Sequence, residues 1–396
     1  ISQSFVVPVF PGARHGVLML DLGLTIYDTL AAFSGVLRHR AFRRTALLAR
    51  EPILQPSVLG GVRYYDAQTN DVRLVVANLR GAHHAGASVV SRVQFDAPLR
   101  EGDDGGLGKV VGARLTDLTD GRSFDVRCSV VVLAAGPFAD DARARWLGRT
   151  PERAMIRPSK GVHIVVPRAR LPLSEAIVMT ARDERIVFAL PWTHVSVIGT
   201  TDTPYDGDLR HPRTSRRDAE YLLDTANRTL VARGGPLTCD DVIATWAGIR
   251  PLAIGTRDDA TGTYQTSREH IIESDPTGMV LIAGGKLTTY RVMAEQGVDA
   301  AIALLPASRV AATLPSVTVE LPLPGAEGLP TGSAPLDRMA SILIRERGTA
   351  EGLANHLVYT YGSDAIAILD LADSSEDGSR HILPGLPTRW AEVDWV

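Results

Sequence analysis

The residues best placed to do chemistry lie in Met279–Arg291, MVLIAGGKLTTYR. Met279 to Ile282 are apolar, Gly284 and Gly285 break the run, and a helical pattern starts near Thr288. Met293, Gly297, Ala300, Ala301 and Leu304 continue it at the spacing of one helix face. A buried strand, a Gly-Gly turn and a helix make half of a nucleotide-binding unit. Glycine has no side chain to keep a planar ligand from the backbone. Lys286 sits in the turn, before a helix end with free N–H groups and partial positive charge. The place suits an electron-rich group. An ordinary strand-to-helix turn with a surface lysine fits the same residues equally well.

The elements that would carry this turn can be read in order. Phe5–Phe10 reads as a strand and Val17–Leu30 as a helix. A basic connector with Arg38, His39, Arg40, Arg43 and Arg44 follows, either a solvated face or a contact for acidic lipid headgroups. Val72–Ala82 is helical, Ser88–Gln94 is a strand, and Lys109–Leu115 with Arg122–Arg127 forms a hairpin about Asp120-Gly121. Val130–Ala135 is apolar on both faces, as in a parallel sheet, and ends at Gly136-Pro137. Residues 150–275 change character: antiparallel strands are expected at His163–Pro167, Ala176–Thr180, Ile186–Trp192 and Val195–Gly199. An amphipathic helix follows over Thr214–Leu230, with further strands at Val242–Trp246 and His270–Glu273. Pro315–Pro335 reads as a linker, and Leu336–Arg347 and Gly352–Leu371 as helices. Ser374–Gly378 is expected to be polar and mobile, and TRWAEVDWV the start of a helix.

At 396 residues the chain is too long for a single core. Its net charge of −3 argues against a general nucleic-acid binder. Cys128 and Cys239 give neither a disulfide framework nor metal-ligand spacing, which fits a reducing compartment, and no metal is expected. No apolar run is long enough to span a membrane, no signal peptide is visible, and the chain opens at Ile1 rather than Met.

The segments SKGVHIVVPR (159–168), RIVFALPW (185–192), VIGTTDTPYDGD (197–208), ATWAGIRPL (244–252) and IAGGKLTTYRVMAE (282–295) resemble, in order and spacing, the flavin-dependent glycerol-3-phosphate dehydrogenases. YYDAQTNDVRLVVAN (64–78), VVLAAGPFAD (131–140) and YTYGSDA (359–365) extend the likeness over nearly the whole chain. The resemblance implies an α/β flavoprotein. Its discontinuous FAD-binding domain would be of the glutathione-reductase or D-amino-acid-oxidase kind, with an inserted antiparallel α+β substrate domain and a C-terminal helical cap. The expected division is 1–69 as substrate-domain part and connector, 70–149 and 276–308 as the FAD domain, and 150–275 as the substrate domain. A linker at 309–335 and a truncated helical domain at 336–396 complete it.

The implied reaction oxidises sn-glycerol 3-phosphate to dihydroxyacetone phosphate, with hydride passing to flavin N5 and electrons going on to a quinone-type acceptor. A cytoplasmic protein bound peripherally to the membrane follows from that acceptor, and a homodimer is compatible with it. The family's opening strand and G-x-G-x-x-G turn, which hold the FAD pyrophosphate, are absent from this sequence. Both they and the early G-L-R-Y segment would lie upstream of Ile1. An oxidase of the same superfamily using oxygen or another hydroxy or amino substrate, or an inactive remnant, are the rival readings.

The residue roles follow from the resemblance. Arg250 and Arg268 are placed in the substrate pocket, where guanidinium forks would grip phosphate oxygens in pairs, and Arg250 is counted among the catalytic residues as well. His163 is the candidate base for the hydroxyl proton, and Lys286 the other catalytic candidate, better suited to stabilising charge on the flavin. Thr201, with Thr200 and Asp202, would order the pocket. Ala134, Ala135 and Gly136, with Gly284, Gly285, Lys286, Leu287, Thr288 and Thr289, would line the cofactor, Thr288 doubling as an N-cap. Arg291 is read as structural.

Overall fold

The computed structural model describes residues 2–30, 37–102, 108–192, 194–254, 269–330 and 332–395. In chain order the first elements are β1 (Ser2–Val9), α1 (Val17–Leu30), β2 (Arg40–Arg43), α2 (Arg44–Arg50), β3 (Gly60–Ala67) and α3 (Asp71–His84). They are followed by β4 (Val93–Glu101), β5 (Lys109–Asp117), β6 (Ser123–Arg127), β7 (Val131–Leu133) and α4 (Ala139–Leu147). Next come β8 (Ile156–Pro167), β9 (Ala176–Thr180), β10 (Ile186–Trp192), β11 (Val195–Gly199), β12 (Thr203–Pro204) and α5 (Arg216–Thr229). Then β13 (Ala244–Ala253), β14 (His270–Asp275), β15 (Met279–Gly284), α6 (Tyr290–Ala303) and α7 (Ala307–Val310) lead to five C-terminal helices. These are α8 (Ser333–Arg347), α9 (Glu351–Tyr361), α10 (Ala365–Ser374), α11 (Glu376–Ser379) and α12 (Trp390–Trp395).

The chain divides into two compact units, one of Ser4–Tyr64 with Arg92–Ser316, the other of Ile1–Gln3, Tyr65–Ser91 and Val317–Val396. In the first, nine strands form one sheet in the order β12-β8-β11-β10-β9-β1-β3-β2, with β13 paired to β8. The β8–β11 part is antiparallel as its alternating sequence predicts, but β1 joins β9 in parallel. α5 covers one face. Ser215 caps it reciprocally with Asp218, and Ala219, Leu222, Leu223 and Ala226 pack on Val162, Ile164 and Val166. A second sheet, β14-β15-β7, has β7 parallel to β15. It packs with α4 through Trp146, whose indole N–H donates to Asp275 at 3.1 Å.

Several local expectations give way to tertiary context. The strand expected at Ser88–Gln94 begins only at Val93 and runs to Glu101, because its pairing with β5 sets the register. The basic connector is a strand and a short helix, β2 and α2, pinned by Phe42 and Leu47 in the core. In the second unit the helix expected over Gly352–Leu371 breaks at Gly362, where φ is +60°. There α8–α10 and α12 share a core, and Glu392 ties α12 in by accepting hydrogen bonds from Tyr361 and His356 at 2.8 Å each. Ser374–Gly378 spans the end of α10 and most of α11, and the Ser375 side chain caps α11. Among the described residues no helix is long and apolar enough to cross a membrane.

One buried carboxyl in the first unit carries a stability prediction. Glu51, fully buried after α2, accepts the backbone N–H groups of Ser174 and Glu175 on Oε1, while Oε2 has no partner among the described residues. Burial pushes its carboxyl up to about 7, partly offset by those N–H donors. A carboxyl raised in the folded state contributes stability below its unfolded pKa and loses it as pH rises through the folded one. Between about pH 5 and about pH 8 the wild type should therefore lose on the order of 3 kcal/mol from this group. Glu51→Gln, which copies the protonated carboxyl, should flatten that slope in urea melts. An unchanged slope would remove Glu51 as its source.

Candidate active site

β13 pairs with β8 so that Trp246 lies opposite His163, Gly248 opposite Gly161 and Arg250 opposite Ser159. Side chains alternate across a strand, so all six belong to the face turned away from α5. Two strand patterns with the same period, Ser159-x-Gly161-x-His163 and Trp246-x-Gly248-x-Arg250, thus meet side by side.

Arg250 folds back over the strand rather than pointing away from it. A Cβ added at Gly161 would lie 2.8 Å from the Arg250 Cζ, so the missing side chain makes room for the guanidinium. Nη1 donates to the Thr201 carbonyl at 2.9 Å and Nη2 to the Thr200 hydroxyl at 2.7 Å, while Asp202 Oδ1 stands 3.6 Å away. Asp202 is itself held by the Ser159 hydroxyl, and its carbonyl accepts from Arg185. The turn after β11 is therefore a cradle that fixes the arginine's fork. Thr201 acts through its backbone: its buried hydroxyl accepts the Val162 N–H at 3.0 Å and faces the sheet.

His163 is placed by two neighbours. Its ring stacks on Trp246 at 5.1 Å between centroids and 18° between planes. It also occupies the space a side chain at Gly199 would need, since a Cβ there would fall 2.7 Å from its Cγ. At Gly248 the position of a Cβ meets nothing within 4 Å. Among the described residues, nothing covers the strand at Gly248, between the imidazole and the guanidinium.

The Gly-Gly turn lies at the far end of β13. In register, β7 and β15 run together from Val131↔Met279 to Leu133↔Leu281, so Gly136 and Gly284 each follow three residues past the last pair. Crevices at the carboxyl ends of parallel strands are where open α/β sheets take ligands. Gly136 has φ +54° and faces open space, and Lys286, Leu287, Thr288 and Thr289 are exposed along a 3-10 turn. Lys286 makes no ion pair among the described residues.

Two expectations need correcting here. Gly284 (φ +73°) and Gly285 (φ +90°) are required by the turn itself and by packing. Side chains there would meet Ala253 at 2.8 Å and the Met293 sulfur at 2.5 Å, so protein rather than ligand fills that space. Nor is Thr288 an N-cap: it sits inside the 3-10 turn that Lys286 opens, α6 begins at Tyr290, and Thr289 bonds back to the Lys286 carbonyl at 3.1 Å. Arg291 pairs with Glu295 at 2.8 Å on α6. Arg268 lies outside the described residues.

A family model described as FAD dependent oxidoreductase matches residues 6–291. The chain belongs to that family. The chain is 38% identical over 356 residues to "Glycerol-3-phosphate dehydrogenase" of Mycobacterium leprae, covering 90% of the chain and 57% of that relative. It is 34% identical over 374 residues to the mitochondrial glycerol-3-phosphate dehydrogenase of Homo sapiens, covering 92% and 48%. Among solved structures, the glycerol-3-phosphate dehydrogenase from Bacillus halodurans complexed with FAD superposes with a TM-score of 0.72 at 28% identity, over 95% of this chain and 65% of that one. The chain thus spans about half to two thirds of the length of these relatives.

Gly136 leaves a bare backbone at the end of β7, and Lys286, Thr288 and Thr289 offer exposed polar groups in the turn after β15, chemistry compatible with the ring end of a flavin. No G-x-G-x-x-G fingerprint occurs in the sequence to hold the pyrophosphate. Trp246, Gly161, Gly199, Gly248 and Ser159 were not singled out by sequence reasoning. The shared two-residue period of S-x-G-x-H and W-x-G-x-R is the signal that could have found four of them; Gly199 needs the register of β11.

Proposed function

We propose that this chain carries out FAD-dependent oxidation of sn-glycerol 3-phosphate to dihydroxyacetone phosphate. The observation that carries the reading is the spacing on the β8–β13 face. The Arg250 guanidinium stands over Gly161, two residues from His163, which is roughly 7 Å along a strand. That separation suits a three-carbon alcohol with a phosphate at one end. The names of the relatives point the same way.

In this reading Arg250, joined by Arg268, takes the phosphate oxygens, and the Thr200–Asp202 turn holds the Arg250 fork in place. His163 removes the hydroxyl proton, with Trp246 fixing the plane of its ring. Ala134, Ala135, Gly136, Leu287, Thr288 and Thr289 would hold the flavin, and Lys286 would set a positive charge beside it. Bound FAD supplies the two-electron acceptor for the alcohol carbon. The electrons pass on to a quinone-class acceptor, the protein meets the cytoplasmic face of the membrane peripherally, and a homodimer is compatible with this reading.

Product formation with a soluble quinone analogue, run beside oxygen uptake, tests this. Dihydroxyacetone phosphate should appear with the quinone and without matching oxygen consumption. Stoichiometric hydrogen peroxide instead would make the protein an oxidase.

A further inference from the structure

α1 is amphipathic in the reverse of the usual sense. Its half-buried stripe is Val17, Leu20, Asp21, Leu24 and Asp28, so both acids of the helix face the protein. There His39 takes them between its ring nitrogens, Asp28 at 2.6 Å and Asp21 at 3.2 Å. The outward face is left to Leu18, Met19, Leu22, Ile26, Tyr27 and Leu30, each between 53% and 86% exposed. No residue of the helix is buried. A surface helix in water puts apolar groups inward and charge outward, whereas this one turns both of its charges inward and leaves six large apolar side chains outward. The strand it packs against, β2, carries exposed Arg40 and Arg43, with exposed Arg38 just before.

We infer that α1 lies in the plane of an anionic lipid surface, with its outward face among the acyl chains and Arg38, Arg40 and Arg43 against the headgroups. A face with six large apolar side chains, two threonines and no charge suits acyl chains, and the nearby arginines complement lipid phosphate. The inference deepens the peripheral-contact reading above and rests on it for the partner, while the choice of element rests on the geometry of α1.

The test uses the full chain, co-sedimented with phosphatidylcholine vesicles with and without phosphatidylglycerol. The wild type should partition to the anionic vesicles, and Leu22→Glu/Ile26→Glu should weaken that by about 100-fold with an unchanged melting curve. Arg38→Glu/Arg40→Glu should abolish the preference for anionic lipid, and the emission of Ile26→Trp should shift to the blue on vesicle addition. If the wild type binds and the double glutamate variant binds equally, α1 is not the contact and only this inference falls. If the wild type binds neither vesicle, the peripheral reading falls with it. A wild-type dimer that the glutamates dissociate, with no vesicle binding, would assign the face to a second copy and overturn the inference.

Discussion

Arg250→Ala should lower kcat/KM for glycerol 3-phosphate by on the order of 10³-fold, roughly 4 kcal/mol of lost transition-state binding. The proposed reading makes this arginine a main source of charge at the phosphate, and its fork is fixed before substrate arrives. Thr200 and Thr201 accept two of its N–H groups, and Gly161 leaves the room in which it lies. Little further ordering is then needed on binding, so truncation loses charge and preorganisation together. Arg250→Lys should recover only part of the activity, because an ammonium offers a point charge where the guanidinium offers a planar fork. Unphosphorylated glycerol supplies the control. Its slow turnover should be the same in wild type and Arg250→Ala, so the variant loses its preference for the phosphate ester. Equal losses with both substrates would mean that Arg250 supports the fold rather than the phosphate.

His163→Ala should cost about 10³-fold in kcat/KM and remove the ascending limb of the pH profile, as loss of a general base does. Gly199→Ala should do nearly the same without touching the imidazole. Its methyl group would occupy the ring's own space, 2.7 Å from Cγ, and push the ring off its stack on Trp246. A loss of about 10²-fold is expected, since the displaced base can still reach the hydroxyl part of the time. Melting curves separate this from misfolding. If Gly199→Ala keeps full activity and the same pH profile, the base lies elsewhere on this face, and Lys286 becomes the residue to examine.

The sequence was most legible where local pattern and tertiary role agree. The ranges expected for β9, β10 and β11 match the observed strands, because each is a short apolar run bounded by tight polar turns. The apolar face of α5 was equally clear, with Leu222 and Leu223 packed as its period requires. Arg250 and His163 were reachable through resemblance, yet their meeting on one face depends on the β8–β13 register, a long-range pairing that no local window contains. The glycines show the limit from the other side. Gly284 and Gly285 looked like ligand-approach positions, whereas their backbone angles and their packing on Ala253 and Met293 account for them, and the open positions are Gly136 and Gly248. The type of residue was informative, but what fills the space beside it is decided by elements distant in sequence.

The most direct test of the central claim is the visible spectrum of the FAD-loaded chain during anaerobic addition of glycerol 3-phosphate. The wild type should bind flavin and its visible band should bleach, while Arg250→Ala should keep the band at the same substrate concentration. A flavin band that glycerol 3-phosphate leaves unchanged, but that an amino acid or another hydroxy acid bleaches, would contradict the assignment of substrate. A chain that stays colourless with FAD would contradict the assignment of cofactor to these residues.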